Sequence, residues 1–262
     1  MIDQLARDYR SRWNKTAVRV GAVVLAVTAC AVLIGFFDVP RYINGVGEML
    51  RVLGEAFPPD FTEFASWMAP LLDTLAMSVV GTAMAIVISV ALGFLAAANT
   101  TPPPAVYHAT RTFLNLMRAI PELIMGILLV VAVGFGALPG ALALGFHSLG
   151  MVGKFFAESI EHVDDAPIEA ARAAGGRPIQ VVTHGVLPQV LPQMADVAIY
   201  RWEYNFRAST VLGMIGAGGI GFELMASLRI MEYQEVSAIL IVILVLVTLV
   251  DTFSGWMRKK FK

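Results

Sequence analysis

Two long runs of the sequence contain no charged residue, and they constrain the fold more than any other feature. Residues 20–37 form the first run and residues 74–98 the second. A helix rises about 1.5 Å per residue, so the eighteen residues of the first run nearly cross the ~30 Å hydrocarbon core of a bilayer. This run is longer than the apolar part of a typical signal peptide, and no small-residue cleavage site follows it. We therefore expect both runs to be retained membrane-spanning helices.

The composition of the whole chain agrees with a membrane protein. The chain is 57% hydrophobic and only 15% charged, whereas soluble proteins are about 25% charged. Its net charge of −1 argues against a nucleic-acid partner. The single cysteine, Cys30, lies inside an apolar run, so neither a disulfide framework nor a cysteine metal cluster is expected.

Charge asymmetry predicts the topology and the number of crossings. Three more spans are expected at 123–138, 141–160 and 237–250, which gives five. The N-terminal segment 1–19 and the C-terminus are both rich in basic residues, so both termini are expected in the cytoplasm. The acidic segment 38–73 is then a periplasmic loop. Two cytoplasmic termini require an even number of crossings, which demands a sixth span.

Residues 191–215 are the best candidate for the sixth span, although they contain Asp196, Arg201, Glu203 and Arg207. An ionised residue near the bilayer centre costs at least ~2.5–3.5 kcal/mol. Such a helix is tolerable only where other helices or a water-filled path surround it. We therefore expect this helix to lie in the interior and to line a pathway.

Residues 161–189, between the spans at 141–160 and 191–215, are predicted to form a cytoplasmic loop of two short helices. Asp164 and Asp165 are suited to cap the first helix, and Gly175 with Gly176 ends it. Pro178 fits the first turn of the second helix. The small alanine side chains allow another surface to approach closely, so the loop is expected to insert into a partner.

This loop resembles the EAA loop of ABC-type importer permeases. The matching positions are Glu169, Ala170, Ala171, Gly175, Leu187 and Pro188, with the complete family spacing between them. Gly185 stands where the family pattern has isoleucine, a departure that weakens one packing contact. The resemblance implies that these six residues couple the chain to an ATP-hydrolysing subunit. It also implies an all-α membrane protein of six transmembrane helices, with the importer transmembrane domain over 74–262.

Three further segments resemble particular importers. Residues 118–121, Arg-Ala-Ile-Pro, are similar to a turn in the third helix of such permeases, and the glycine-rich stretch 213–221 is similar to the methionine-importer-like fold. The polar run 200–210 resembles phosphonate and phosphite importer permeases. The resemblance therefore implies import of phosphonate or a related phosphorus oxyanion. The alternative is an importer of another small solute such as methionine.

Two interpretations of the polar helix remain open. Residues four apart share a helix face, so Glu203 is able to pair with Arg207, and Arg201 with Asn205. The first interpretation is an internal ion pair that stabilises a buried helix. In the second, all four residues line the translocation path, where the planar arginine fork suits an oxyanion.

Other function classes find little support in the sequence. Gly216, Gly218 and Gly221 match a dinucleotide fingerprint in form, but no strand precedes them. The four histidines lack zinc-like spacing, and His147 is interpreted as a helix-contact residue. A membrane enzyme would need converging catalytic groups. A channel or secondary transporter would not need the EAA spacing, and such transporters often show internal repeats.

The expected partners follow from the family resemblance. No phosphate-loop motif occurs in the sequence, so this chain is not expected to be an enzyme or to hold a cofactor, and ATP and Mg²⁺ are expected on a partner ATPase. One EAA loop per chain implies a homodimer on two ATPase copies. A periplasmic or lipid-anchored solute-binding protein should dock outside. The location is the phospholipid bilayer of the bacterial inner membrane.

Overall fold

The computed structural model describes residues 2–100 and 103–261, and every regular element within them is helical. Side chains are described for residues 13–100 and 103–260. The predicted basic segment 1–19 therefore lies partly outside the described side chains, as does Lys262. The predicted all-α class is confirmed.

Eleven α-helices occur in the described part of the chain, in two compact units. The first unit, Met1–Glu55, contains α1 (Ile2–Leu33) and α2 (Val39–Glu55). The helices of the second unit, Ala56–Lys262, are α3 (Met68–Ala96), α4 (Pro104–Ala119), α5 (Glu122–Val133), α6 (Ala137–Glu161), α7 (Asp165–Ala173), α8 (Pro178–Val181), α9 (Leu187–Leu212), α10 (Ile220–Arg229) and α11 (Tyr233–Phe261). Single π-helical turns, Val182–Val186 and Gly213–Ala217, precede and follow α9.

Four helical segments of the described chain are long and apolar enough to cross a membrane. They are Trp13–Leu33, Met68–Ala96, Ala137–Glu161 and Tyr233–Lys260. Two bent helix pairs raise the number to six if each pair is one span: α4 with α5, bent by 87°, and Pro178–Ala217 with α10, bent by 56°. The chain is thus a multi-spanning protein with four to six candidate spans. The six predicted from charge parity are the upper end of that range.

The predicted periplasmic loop 38–73 contains a helix that mean hydropathy does not reveal. The apolar residues of α2 include Ile43, Val46, Leu50 and Leu53, which recur three or four positions apart. This spacing is typical of an amphipathic helix. Arg51 pairs with Glu48 and Glu55 at 2.9 and 3.3 Å, so three of the charges in this segment pair within the helix.

Small residues bring α3 and α6 close together at the centre of the second unit. A Cβ added at Gly81 would lie 2.8 Å from the Ala141 carbonyl oxygen and 2.9 Å from the Leu144 Cβ. Helix pairs in membranes associate through such small-residue contacts, because lipid gives no hydrophobic drive for helix association. The close approach buries Ser148 of α6 and Thr82 of α3 completely or nearly so.

The glycine-rich stretch after α9 bends the chain by 56° before α10. Gly216, Gly218 and Gly219 have φ values of 98°, 75° and 74°, a region that favours glycine. The Ile220 amide then donates to the Thr74 hydroxyl at 2.9 Å, which fixes the start of α10 against α3.

The α3–α6 contact predicts a specific loss of stability. Replacing Gly81 with alanine should lower the free energy of unfolding by roughly 1–3 kcal/mol, because the added Cβ would clash with backbone atoms of α6 that have no space to move into. Gly255 of α11 has nothing within 4 Å of an added Cβ, so Gly255→Ala is the matched control. The control should be neutral or stabilising by roughly 0.5–1 kcal/mol. Thermal unfolding in detergent micelles measures both, and equal midpoints would contradict the packing.

Candidate functional site

Helix α9 carries two polar clusters on different faces. Arg201 and Asn205 point towards α3 and α6, whereas Glu203 and Arg207 meet α11. This division follows from helical geometry, since residues four apart share a face and residues two apart do not. The four predicted path residues are therefore brought together in two pairs rather than in one group.

The first cluster, which we call the Arg201 network, consists of Arg201, Asn205, Ser148 and Thr82. Arg201 Nε donates to the Ser148 hydroxyl at 2.8 Å, and Ser148 donates to Asn205 Oδ1 at 3.0 Å. Asn205 Nδ2 donates to the Thr82 hydroxyl at 2.8 Å. Arg201 is only 2% exposed and Asn205 is fully buried. The network therefore joins α3, α6 and α9 deep inside the helix bundle.

Arg201 carries a buried positive charge that forms no hydrogen bond with a carboxylate of the described residues. Its Nη1 contacts the Met151 sulfur at 3.3 Å, and its Cζ lies 4.2 Å from the centre of the Tyr204 ring. Its Nη2 is buried and has no hydrogen-bond partner among the described residues. A cation–π contact offsets part of the desolvation cost. The Nη2 group is suited to bind an anion, because charge-assisted hydrogen bonds donated by a planar guanidinium are strong.

A carboxylate lies at the hydroxyl end of the Tyr204 side chain. The Tyr204 hydroxyl donates to Glu122 Oε1 at 3.1 Å, and His147 Nε2 lies 3.9 Å from Glu122 Oε2. Glu122 is the first residue of α5 and directly follows the bend after α4. The helix N-terminus favours a negative charge there. Its Oε2 is buried and has no hydrogen-bond partner within the described part of the chain.

The second cluster, which we call the Glu203 cluster, contains Glu203, Arg207, Asp251, Arg258 and Ser254. Glu203 pairs with Arg207 at 3.0 Å and with Arg258 at 2.9 Å. Arg207 also pairs with Asp251 at 2.8 Å, and Ser254 donates to Glu203 at 2.6 Å. Two acids balance two arginines, so the cluster is electrically neutral and fixes α9 against α11.

The loop with the EAA spacing forms a compact helical hairpin. Glu169 and Ala170 are exposed on α7, and Gly175 is exposed in the turn with a φ of 79°. Leu187 and Pro188 begin α9. The hairpin is closed by Gln189, which accepts from the Asp164 amide at 2.9 Å and donates to the Asp164 carbonyl at 3.1 Å.

The glycine at position 185 has a structural explanation. A Cβ there would lie 3.2 Å from Ile168 Cα and 3.4 Å from Ile168 Cγ1. Ile168 of α7 is buried against this point. An isoleucine at 185 would therefore push α7 away, and Ile168 supplies the apolar side chain instead.

Sequence reasoning missed most partners of the α9 charges. Ser148, Thr82 and Glu122 lie between 53 and 123 positions away from the α9 residues they contact. Serine and threonine in a membrane helix give no local sign of the helix they face. Glu122 did carry a signal, since it is an acid at the start of an apolar run.

These features define a multi-spanning membrane component with an exposed helical hairpin and a buried arginine. Residues 89–262 match the family described as "Binding-protein-dependent transport system inner membrane component", and the chain belongs to this family. The predictions of an importer permease and of a transport component rather than an enzyme are thereby confirmed. The chain is a multi-pass inner-membrane protein.

Two curated relatives are similar over much of the chain. The phosphite transport system permease protein PtxC of Stutzerimonas stutzeri is 60% identical over 260 residues, which are 99% of this chain and 94% of that protein. The phosphate-import permease protein PhnE of Mycolicibacterium smegmatis is 43% identical over 205 residues, 78% of this chain and 38% of that protein.

A solved structure shows the same fold. The inward-facing MetNI methionine ABC transporter matches with a TM-score of 0.66 and 21% identity, over 75% of this chain and 96% of that chain. At this identity the likeness concerns the fold alone. The predicted methionine-importer-like fold is confirmed.

The Arg201 network predicts that Ser148 supports stability. Replacing Ser148 with alanine removes the partner of Arg201 Nε and of Asn205 Oδ1, and should cost roughly 1–3 kcal/mol. Ser159→Ala is the matched control in the same helix, because the Ser159 hydroxyl bonds only the Phe155 carbonyl one turn earlier, at 2.9 Å. Thermal unfolding of the purified protein should show a lower midpoint for the first variant alone. A Ser148→Ala midpoint equal to the wild-type value would contradict the network.

Proposed function

We propose that this chain is the permease subunit of an ABC importer that carries phosphite, phosphonate or a related phosphorus oxyanion across the bacterial inner membrane. The observation that carries the proposal is the buried Arg201 guanidinium, whose Nη2 has no hydrogen-bond partner among the residues that the structure describes. The 60% identity to a permease named for phosphite transport supports the same substrate class. Methionine or another small solute is the alternative outcome of the test.

Arg201 is the side chain best suited to meet the anion. Its planar fork is able to donate two hydrogen bonds to neighbouring oxyanion oxygens, and electrostatic attraction is stronger in a dry interior than in water. Asn205 holds Ser148, which in turn holds Arg201 Nε, so Asn205 orients the fork.

The Glu203 cluster serves the path indirectly. Arg207 lies between two carboxylates, and Glu203 is engaged by two arginines and a serine. Charges that are satisfied within the protein attract a passing anion weakly. We assign Glu203 and Arg207 to the attachment of α9 to α11, with Arg201 as the anion contact.

The energy for transport comes from a separate ATPase subunit in this proposal. The sequence contains no phosphate-loop motif. Glu169, Ala170 and Ala171 lie on α7, whose small exposed side chains let a partner groove approach closely. Gly175 shapes the turn behind this helix, while Leu187 and Pro188 connect the hairpin to α9. Movement of the ATPase is thereby transmitted to the helix that carries Arg201.

The proposed assembly contains two copies of this chain. Each chain offers one coupling hairpin, so a homodimer presents two hairpins to two ATPase copies that bind ATP and Mg²⁺. A periplasmic or lipid-anchored solute-binding protein delivers the ligand at the outer face. Both termini are cytoplasmic, in keeping with the basic residues Arg258, Lys259 and Lys260 at the end of α11.

Uptake of labelled phosphite tests the substrate and the role of Arg201 together. Proteoliposomes that contain the permease, its ATPase and its binding protein should take up phosphite when ATP is supplied. Arg201→Gln should reduce uptake more than tenfold, and Arg201→Lys should be intermediate because it keeps the charge but loses the fork. The double variant Glu203→Gln with Arg207→Met removes one charge of each sign and should largely retain uptake.

Two results would overturn this assignment. Uptake of methionine in place of phosphite by the wild-type assembly would contradict the substrate class. Loss of uptake in the double variant, with near-normal uptake in Arg201→Gln, would move the anion contact from Arg201 to Arg207.

A pair of substitutions at Gly175 tests the coupling hairpin. Its positive φ is costly for a β-branched residue but is tolerated by asparagine. Gly175→Val should therefore distort the turn, weaken co-purification of the ATPase and lower uptake, while the protein stays inserted in the membrane. Gly175→Asn should retain both. Equal ATPase recovery with the two variants would exclude a role for this turn in coupling.

A further inference from the structure

The Glu122 carboxylate lies in surroundings suited to an anion. The Tyr204 hydroxyl donates to one of its oxygens, and the His147 ring lies 3.9 Å from the other. Arg201 lies against the same Tyr204 ring, at 4.2 Å from its centre. A phenol hydroxyl from α9 and an imidazole from α6 thus lie next to the carboxylate of α5, and a guanidinium packs against the ring of the same phenol.

Arg201 and Glu122 both contact the Tyr204 side chain, but within the described part of the chain they form no ion pair with each other. Arg201 Nη2 has no hydrogen-bond partner among the described residues, and neither has Glu122 Oε2. A direct Arg201–Glu122 ion pair would satisfy both atoms. Instead, Arg201 Nε donates to the Ser148 hydroxyl, and Glu122 Oε1 accepts from the Tyr204 hydroxyl. Each of these two atoms thus has unused capacity for one more polar partner.

A phosphorus oxyanion that accepts from Arg201 Nη2 would compete with Glu122 for the Tyr204 hydroxyl. Its oxygens accept hydrogen bonds from the same hydroxyl and N–H groups that a carboxylate uses. Two like charges a few ångströms apart in a poorly solvated interior repel each other strongly. The oxyanion therefore binds either with a displaced Glu122 or against its repulsion.

We propose that Glu122 is a tethered competitor that weakens the hold of the permease on the transported oxyanion and so promotes its release. A path residue that binds too tightly would trap the ligand, and the carboxylate prevents this. Glu122 follows the 87° bend between α4 and α5, so it is attached to a break in the helix rather than to its middle. This inference rests on the proposed function, and it adds Glu122 and Tyr204 to the residues that set affinity.

Equilibrium binding of labelled phosphite to the purified permease–ATPase complex tests the proposal. Glu122→Gln keeps the size and one acceptor oxygen for Tyr204 but removes the charge. The variant should bind phosphite at least about tenfold more tightly than wild type, and its maximal uptake rate should fall because release slows. Glu158→Gln is the matched control, since Glu158 lies on α6 and pairs only with Lys154 at 3.7 Å. The control should leave both quantities unchanged.

A second variant should move the affinity in the opposite direction. Tyr204→Phe removes the hydroxyl that holds Glu122, which frees the carboxylate to pair with Arg201 and takes away one donor for the oxyanion. Phosphite should then bind more weakly. A purely structural role for both residues would lower the unfolding midpoint of each variant without opposite changes in Kd.

The possible failures are distinguishable. Unchanged or weaker phosphite binding by folded Glu122→Gln overturns the proposal, and if this variant does not fold, unchanged or tighter binding by Tyr204→Phe overturns it. Both results leave the proposed function standing as long as the wild-type assembly takes up phosphite. Absence of wild-type phosphite uptake overturns the proposed function itself, and the role of Glu122 with it.

Discussion

The polar network that joins α3, α6 and α9 depends on one interaction, the hydrogen bond from the buried Arg201 guanidinium to Ser148. A bilayer offers no water to solvate a charge, so a buried N–H group either has a partner in the protein or binds an added polar group strongly. Arg201 has N–H groups of both kinds. Its Nε donates to Ser148, while its Nη2 has no partner among the described residues. The hydrogen bond of Nε fixes the direction of the Arg201 side chain, and the Nη2 group determines what the side chain is able to bind.

The packing of small residues makes this arrangement possible. Gly81 allows α3 and α6 to approach until Thr82 and Ser148 are buried beside Asn205. A larger residue at that position would separate the two helices and break the bridge through Asn205. The electrostatics of the site therefore depend on the contact between the helices, because a polar network in the interior requires the backbones to approach closely.

The two polar clusters of α9 have different roles: one attaches the helix to α11, and the other is suited to bind the anion. The Glu203 cluster balances its charges within itself and attaches the helix to α11. The Arg201 network leaves a net positive charge in the interior. One helix is thereby fixed along one face and chemically active along another, and its N-terminal end continues into the hairpin proposed to contact the ATPase. A shift of that hairpin would move the arginine directly.

The sequence permitted the fold class and the helix with its charges to be predicted, because both depend on local patterns. Hydropathy locates spans, charge parity pointed to the helix that carries Arg201, and motif spacing located the hairpin. The partners of Arg201 were not predictable, since the serine at 148 and the threonine at 82 look like ordinary residues of a membrane helix until α3 and α6 are packed. Glu122 and the amphipathic α2 were missed because mean hydropathy averages over the pattern that distinguishes them.

Stimulation of ATP hydrolysis by a panel of ligands tests the central claim most directly. The assembled permease, ATPase and binding protein would be titrated with phosphite, a simple alkylphosphonate, phosphate and methionine. The proposed role of Arg201 as the anion contact predicts that one or more of the phosphorus oxyanions raise the hydrolysis rate, that methionine does not, and that Arg201→Gln abolishes the stimulation while basal hydrolysis persists. Stimulation by methionine alone, or an undiminished oxyanion response in Arg201→Gln, would contradict it.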